Sequence, residues 1–177
     1  MLENGNNEHL NISNNVSIFD MKQFLNPKSI AVIGASDSPG KVGHSLMENL
    51  IGFKGKIIPI NLEKNRIFGL RAYKTINDYP GKIELAIIAI PAPYVSSVLE
   101  ECGRKKIKNV IVISAGFSES GNLKGEKQLI EISKKYNIKM LGPNCFGVAN
   151  PYNSLNATFA RSPPEKGNIA FISQSGA

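Results

Sequence analysis

The chain has only two cysteines in 177 residues, Cys102 and Cys145. That is too few for a disulfide framework or a cysteine-rich zinc cluster. Its two histidines, His9 and His44, have none of the neighbours expected of a catalytic residue, and no group of side chains has metal-ligand spacing. The longest apolar run of consequence, LAIIAI at 85–90, is far shorter than the roughly 20 residues a membrane-crossing helix needs, and is expected to be a buried strand. The opening stretch, MLENGNNEHLNISNNVS, has neither the basic start nor the apolar core of a signal peptide. The cytoplasm is therefore the expected compartment, and no membrane partner is expected. Aromatic residues make up 7% of the chain and do not interleave with its scattered lysines, so the net charge of +7 does not carry a nucleic-acid reading. A positive field of that size also suits a small polyanionic ligand.

What is present alternates in the manner of an α/β protein. Residues 1–23 are Asn-rich, lack periodicity and are expected to be a disordered extension. Short apolar strands are then expected at 29–34, 56–61, 84–90, 109–114 and 139–142. Amphipathic helices fall between them, with Val42, Leu46, Met47, Leu50 and Ile51 on one helical face, Val95, Val98, Leu99 and Cys102 on a second, and Leu129, Ile132 and Tyr136 on a third. Continuous apolar strands separated by such helices predict a doubly wound, Rossmann-like parallel sheet over 24–150, covered on both faces. Ligands of such sheets lie beyond the carboxyl ends of the strands, where the winding reverses. Each expected strand but the second ends in a turn of small residues, in order GAS, PAP, SAG and GPN. Residues 151–177 are expected to be a linker and the first strand, IAFIS, of a second, flavodoxin-like α/β domain that is cut short.

The first of these turns, AVIGASDSPGKVG at 31–43, satisfies neither familiar phosphate loop. Ala35 and Ser36 follow Gly34, so the dinucleotide spacing G-x-G-x-x-G is absent. Five residues separate Gly34 from Gly40-Lys41, and Val42 stands where a nucleoside-triphosphate loop needs a hydroxyl. The turn nevertheless lies between a strand and a helix, where backbone N–H groups and the helix dipole favour an anion. A nicotinamide cofactor would want an acid at the end of the second strand. That strand ends in Asn61, with Glu63 and Lys64 just beyond. Lys64 suits an additional phosphate, such as the 3′-phosphate of coenzyme A, or is simply a solvated loop lysine. Cys145, in LGPNCFG, has no histidine near it in sequence and is expected to pack or line a site without acting as a nucleophile. SQSG at 173–176 offers hydroxyls and successive amides for a small phosphate.

In their order along the chain, NPKSIAVIGASDSPGKVG, AIIAIPA, VIVISAGFSESG, LGPNCFGVANP and GNIAFISQSGA resemble the α-subunit, or α-like portion, of ADP-forming acyl-CoA synthetases. That family includes the ADP-forming acetate–CoA ligases and is related to succinyl-CoA synthetase. The resemblance covers roughly residues 24–177 and implies that the ligand is coenzyme A. By motif position, Gly34 and Ala35 would belong to the CoA site, Ser36 with Gly40, Lys41 and Val42 would hold its phosphates, and Lys64 would lie at its nucleotide end. Pro91, Ala92, Ile113, Ser114 and Ala115 would line the nucleotide and pantetheine path. Asn144 and Cys145 would lie toward the thiol, and Ser175 and Gly176 would bind phosphate. Such enzymes join an acid to CoA with ATP, through an acyl phosphate and a phosphohistidine, and release ADP and phosphate. The resemblance places ATP or ADP with Mg2+ in a β-subunit or fused ATP-grasp portion. It places the phosphorylated histidine beyond Ala177, so no catalytic residue is expected in this chain and the isolated chain is expected to be inactive. Two other readings stay open on the residues: an NAD(P)-binding redox sensor or dehydrogenase fragment using Glu63, and a CoA-sensing module of an acyltransferase.

Overall fold

The computed structural model describes residues 18–173, with side chains from Met21 onward. In chain order the strands are β1 (Ser29–Ile33), β2 (Lys56–Ile60), β3 (Arg66–Ile67), β4 (Leu70–Arg71), β5 (Leu85–Ile88), β6 (Asn109–Val112), β7 (Lys139–Leu141), β8 (Gly147–Asn150) and β9 (Leu155–Thr158). The α-helices are α1 (Ile18–Leu25), α2 (Val42–Asn49), α3 (Ala92–Arg104) and α4 (Leu123–Tyr136). Five strands form one parallel sheet in the order β2-β1-β5-β6-β7, and all five coincide with runs expected from sequence. The chain leaves β1 toward β2 on one side and returns to place β5 on the other, so the winding reverses between β1 and β5.

The parity of the strand residues sorts the core into two layers. Ala31 and Ile33, Ala86 and Ile88, and Val110 and Val112 face α3 and α4, meeting Val95, Leu99, Leu129 and Ile132. Ile30 and Val32, Leu85 and Ile87, and Ile111 point the other way, toward Leu46, Met47 and Leu50 of α2. Full burial of both faces is why these strands are unbroken apolar runs with no polar alternation. The second face receives a single crossover helix, and the area α2 leaves open is closed by Phe24 of α1 and by Leu155 and Ala157 of β9.

Three features differ from the sequence expectation. Residues 18–23, expected within the disordered extension, belong to α1, where Met21 and Phe24 face the core one turn apart; residues 1–17 lie outside the described part. The boundary expected between residues 150 and 151 falls inside the β8–β9 hairpin, which is tied to the domain through Asn49 Nδ2 donating to Thr158 O and Ala160 O (2.8 and 2.9 Å). The strand expected at 169–173 has no sheet partner among the described residues, and Ile169, Phe171 and Ile172 are 94%, 89% and 89% exposed. An isolated strand has nowhere to place its backbone hydrogen bonds or its apolar side chains. A small hairpin, β3–β4, also follows β2; its turn residues Phe68 and Gly69 both have positive φ, the geometry that suits a two-residue connection.

Candidate functional site

The turn after β1 is shaped by contacts its glycines make possible. A Cβ on Gly34, whose φ is +89°, would lie 2.2 Å from the carbonyl oxygen of Ala89. One on Gly43 would lie 1.9 Å from the oxygen of Gly34. The strand exit therefore rests on the end of β5, and the first turn of α2 rests on the strand exit. The G-x-G-x-x-G spacing is absent because the loop between these two contacts is longer, and exposed Gly40 supplies a further positive φ within it. Lys41 is the N-cap residue of α2, and no side chain caps the helix, nor is there an acid in its first turn. Its N-terminal N–H groups and the positive end of its dipole therefore face an exposed loop. Ser36 is buried, and its Oγ accepts from Ser38 N (3.0 Å), leaving the hydroxyl proton to donate.

Asn61, at the end of β2, joins a second loop to this one. Its Nδ2 donates to Ala35 O (2.9 Å), and its Oδ1 accepts from the backbone N–H groups of Glu63 and Lys64 (both 2.8 Å). This Asx turn points Lys64 back across the β1 turn, where its ammonium pairs with the Asp37 carboxylate. The lysine holds the Asp37 carboxyl below its usual range. Both polar groups of Asn61 are committed, at the position where a dinucleotide site would present a carboxylate to a ribose.

The turns after β5, β6 and β7 are stitched together. Ala89 N donates to Ile33 O (2.9 Å) and Ile90 N to Ser114 Oγ (3.1 Å), while Asn144 N donates to Ser114 O (3.0 Å). Pro91 is exposed and Ala92 half-buried at the start of α3. Of the three residues expected along the ligand path after β6, Ile113 and Ser114 turn their side chains inward; Ala115 is exposed. Beyond it the Glu119 carboxylate accepts from the N–H groups of Gly116 and Phe117, which hold its pKa below the usual carboxylate value. Asn122 Nδ2 donates to Gly116 O (3.0 Å) while its Oδ1 caps α4 through Gly125 N.

In the turn after β7, Asn144 is exposed with φ +53°. The half-buried Cys145 thiol donates to Val112 O (3.4 Å), and burial pushes its pKa up. Such a thiol is a poor nucleophile. His44 packs against the Phe68 ring (5.2 Å between centroids), beside Glu48. Thus the turns carrying Gly34 to Val42, Pro91 and Ala92, Ile113 to Ala115, and Asn144 and Cys145 form one connected edge of the sheet, with Lys64 brought to it by Asn61. Ser175 and Gly176 lie outside the described residues. Asp37, Asn61, Glu119 and Asn122 were not singled out as site residues by sequence. The Asx signal at Asn61, two and three residues before Glu63 and Lys64, was available; the partners of Asp37 were not. No helix among the described residues is long and apolar enough to cross a membrane.

Residues 28–151 match a family model described as a CoA binding domain. Over 159 residues the chain is 50% identical to the ADP-forming acetate–CoA ligase of Methanocaldococcus jannaschii, which covers 90% of this chain and 23% of that protein. It is 46% identical over 157 residues to the α subunit of ADP-forming acetate–CoA ligase II from Pyrococcus furiosus, covering 87% of this chain and 34% of that subunit. Among solved structures, the dinucleotide-forming acetyl-coenzyme A synthetase 1 of Ca. Korarchaeum cryptofilum, in complex with phosphate and ADP, matches with a TM-score of 0.84 at 42% identity, over 89% of this chain and 34% of that one. The chain spans about a quarter to a third of the length of these proteins. With its five-stranded doubly wound sheet and the match over 28–151, the chain belongs to the CoA-binding domain family and is similar to the α portions of ADP-forming acid–CoA ligases.

Proposed function

We propose that this chain binds coenzyme A along the carboxyl edge of its sheet, as the N-terminal part of a cytoplasmic ADP-forming acid–CoA ligase. The observation that carries the reading is the uncapped start of α2 facing the rim that Lys64 completes. That gives one group of amides and one cation at separate places, as a ligand with phosphates at two positions requires. Ser36, Gly40, Lys41 and Val42 hold the diphosphate, and Lys64 the 3′-phosphate. Pro91, Ala92 and Ala115 face the nucleotide and pantetheine, while Ile113 and Ser114 set the shape of the turn beneath them. Asn144 and Cys145 lie toward the thiol. Ser175 and Gly176 belong to a phosphate site completed by the following portion of the enzyme. The acid, ATP and CoA become acyl-CoA, ADP and phosphate through an acyl phosphate and a phosphohistidine. His44 is committed to packing and is not that histidine. The nucleotide with Mg2+ binds to a β-subunit or fused ATP-grasp portion, which is the protein partner.

Thermal unfolding with CoA, 3′-dephospho-CoA and NAD tests this directly. CoA at a hundred times its dissociation constant adds about 2.7 kcal/mol, or roughly 5–10 °C for a domain of this size. The shift shrinks with dephospho-CoA and is absent with NAD. Lys64→Ala costs CoA binding about 1.5–3 kcal/mol, the scale of a hydrogen bond to a charged group, and leaves dephospho-CoA binding unchanged. A shift with NAD alone overturns the reading and makes Glu63 the residue to mutate.

A further inference from the structure

Lys64 is not waiting free at the rim. Its ammonium is paired with Asp37, which sits in the β1 turn itself, between Ser36 and the start of α2. Both side chains are partly exposed, 46% for Lys64 and 39% for Asp37, so an incoming anion reaches the pair from solvent. The two loops do not depend on this contact to stay together. Asn61 already ties them through Ala35 O and through the N–H groups of Glu63 and Lys64, and Lys74 Nζ donates to the carbonyls of Leu62 and Glu63 (2.6 and 2.9 Å). The pair therefore contributes charge to the rim more than it contributes shape.

We infer that Asp37 attenuates this site's affinity for its own ligand: its carboxylate occupies Lys64 in the free protein, and a phosphate at the ligand's nucleotide end must displace it to reach the lysine. The inference rests on the reading of Lys64 as the contact for that phosphate. A doubly charged phosphate displaces a singly charged carboxylate from an exposed ammonium, whereas a neutral ribose hydroxyl does not. Asp37 thus lowers the affinity for every ligand whose phosphate uses Lys64, by competing for the lysine and by repelling the phosphate. Ligands lacking that phosphate leave the pair intact and are unaffected. The carboxylate therefore narrows the preference for the phosphate-bearing ligand, and removing it both tightens that ligand and widens the preference.

Isothermal titration of the full chain with CoA and with 3′-dephospho-CoA tests this in the wild type, Lys64→Ala, Asp37→Asn and Asp37→Ala. Asp37→Asn tightens CoA binding about twofold to fivefold, the range set by one exposed charge pair in water, and changes dephospho-CoA binding by less than about 1.5-fold. Asp37→Ala, which also removes the residual acceptor for Lys64, tightens CoA at least as much. Unchanged thermal unfolding of the unliganded variants shows that the loop retains its fold. Wild-type discrimination between the two ligands, lost in Lys64→Ala, combined with unchanged or weaker CoA binding in both Asp37 variants, overturns the role of Asp37 alone. A wild type that binds both ligands equally overturns the reading of Lys64 and the role of Asp37 together.

Discussion

The turn after β1 and the turn after β6 leave the same edge of the sheet with similar composition, small residues followed by a short helix or a helical turn. They solve the problem of their backbone N–H groups in opposite ways. After β6 the protein supplies its own anion: the Glu119 carboxylate sits on the N–H groups of Gly116 and Phe117, and Glu126 Oε2 accepts from Ser118 N (3.0 Å). After β1 nothing comparable happens, because α2, with Lys41 at its N-cap, begins without a side-chain cap and without an acid in its first turn. Small residues at a strand end therefore do not by themselves mark an anion site. What distinguishes the two turns is whether a carboxylate three residues on can fold back, as Glu119 does onto Gly116. In the β1 turn the nearest carboxylate, Asp37, is drawn away by Lys64.

The largest expected effect comes from disturbing the open turn at its base. Gly43→Ala drives a methyl group into the Gly34 carbonyl, a backbone atom that cannot rotate aside. About 3 kcal/mol of stability is lost, the upper part of the usual range for overpacking, which corresponds to a fall in Tm of roughly 6–12 °C. CoA binding is lost with it, because α2 can no longer sit against the strand exit. Gly40→Ala provides the contrast. Nothing lies within 4 Å of its added Cβ, so only the left-handed backbone is penalised, at about 1–2 kcal/mol. Urea unfolding of the two variants separates these terms. Equal costs would mean that close approach at Gly43 is not what seats the helix.

A smaller effect is expected from opening the closed turn. The folded-state pKa of Glu119 is held below its usual value of 4.5 by the N–H groups of Gly116 and Phe117. Its stabilising contribution is therefore present at neutral pH and is lost as the pH falls through that depressed value. Glu119→Gln keeps one acceptor but removes the charge. Amide hydrogen exchange at Gly116 and Phe117 should accelerate in the variant, and its Tm should fall less steeply than that of the wild type on the acid side. Superimposable acid limbs would show that the carboxylate does not hold this turn.

The same contrast explains what could be read from the sequence. The five sheet strands were legible as short apolar runs, fully buried on both faces in β1, β5 and β6, and the places of Gly34, Lys41 and Lys64 were legible because strand ends and helix starts locate them. The β8–β9 hairpin was not: Leu155, Asn156, Ala157 and Thr158 do alternate, but over only four residues, and the two polar ones are buried where alternation would place them in water. Helix α1 was hidden by the Asn-rich residues before it, although Met21 and Phe24 are correctly spaced. The pairing of Asp37 with Lys64 joins residues 27 apart in sequence, and that of Asn61 with Ala35 joins residues 26 apart. Such contacts follow from the order β2-β1-β5, which places the β2 loop beside the β1 turn, and from no local pattern. Side-chain partners were equally invisible: the Ser114 hydroxyl accepts from Ile90 N (3.1 Å) and donates to Ile88 O (3.4 Å).

The turn after β7 extends the comparison, and it carries the smallest expected effect. There the thiol of Cys145 is the donor and a backbone carbonyl, Val112 O, the acceptor, while a Cβ on Gly142 would lie 2.2 Å from that same oxygen. The turn is closed around that carbonyl. Burial raises the thiol pKa, so at pH 7 iodoacetamide should modify Cys145 at least tenfold more slowly than free cysteine. Cys102, fully buried in α3 with its pKa pushed up to about 12, should be slower still. Cys145→Ala should cost about 1 kcal/mol, the value of one modest hydrogen bond, and change CoA affinity by less than about threefold, since on the proposed reading the side chain only lines the thiol end of the path. Rapid alkylation of Cys145 in the folded protein, blocked by CoA, would instead make it a reactive group at the ligand's thiol and place the β7 turn with the open turn, as a second point where the edge of the sheet is left unsatisfied for chemistry.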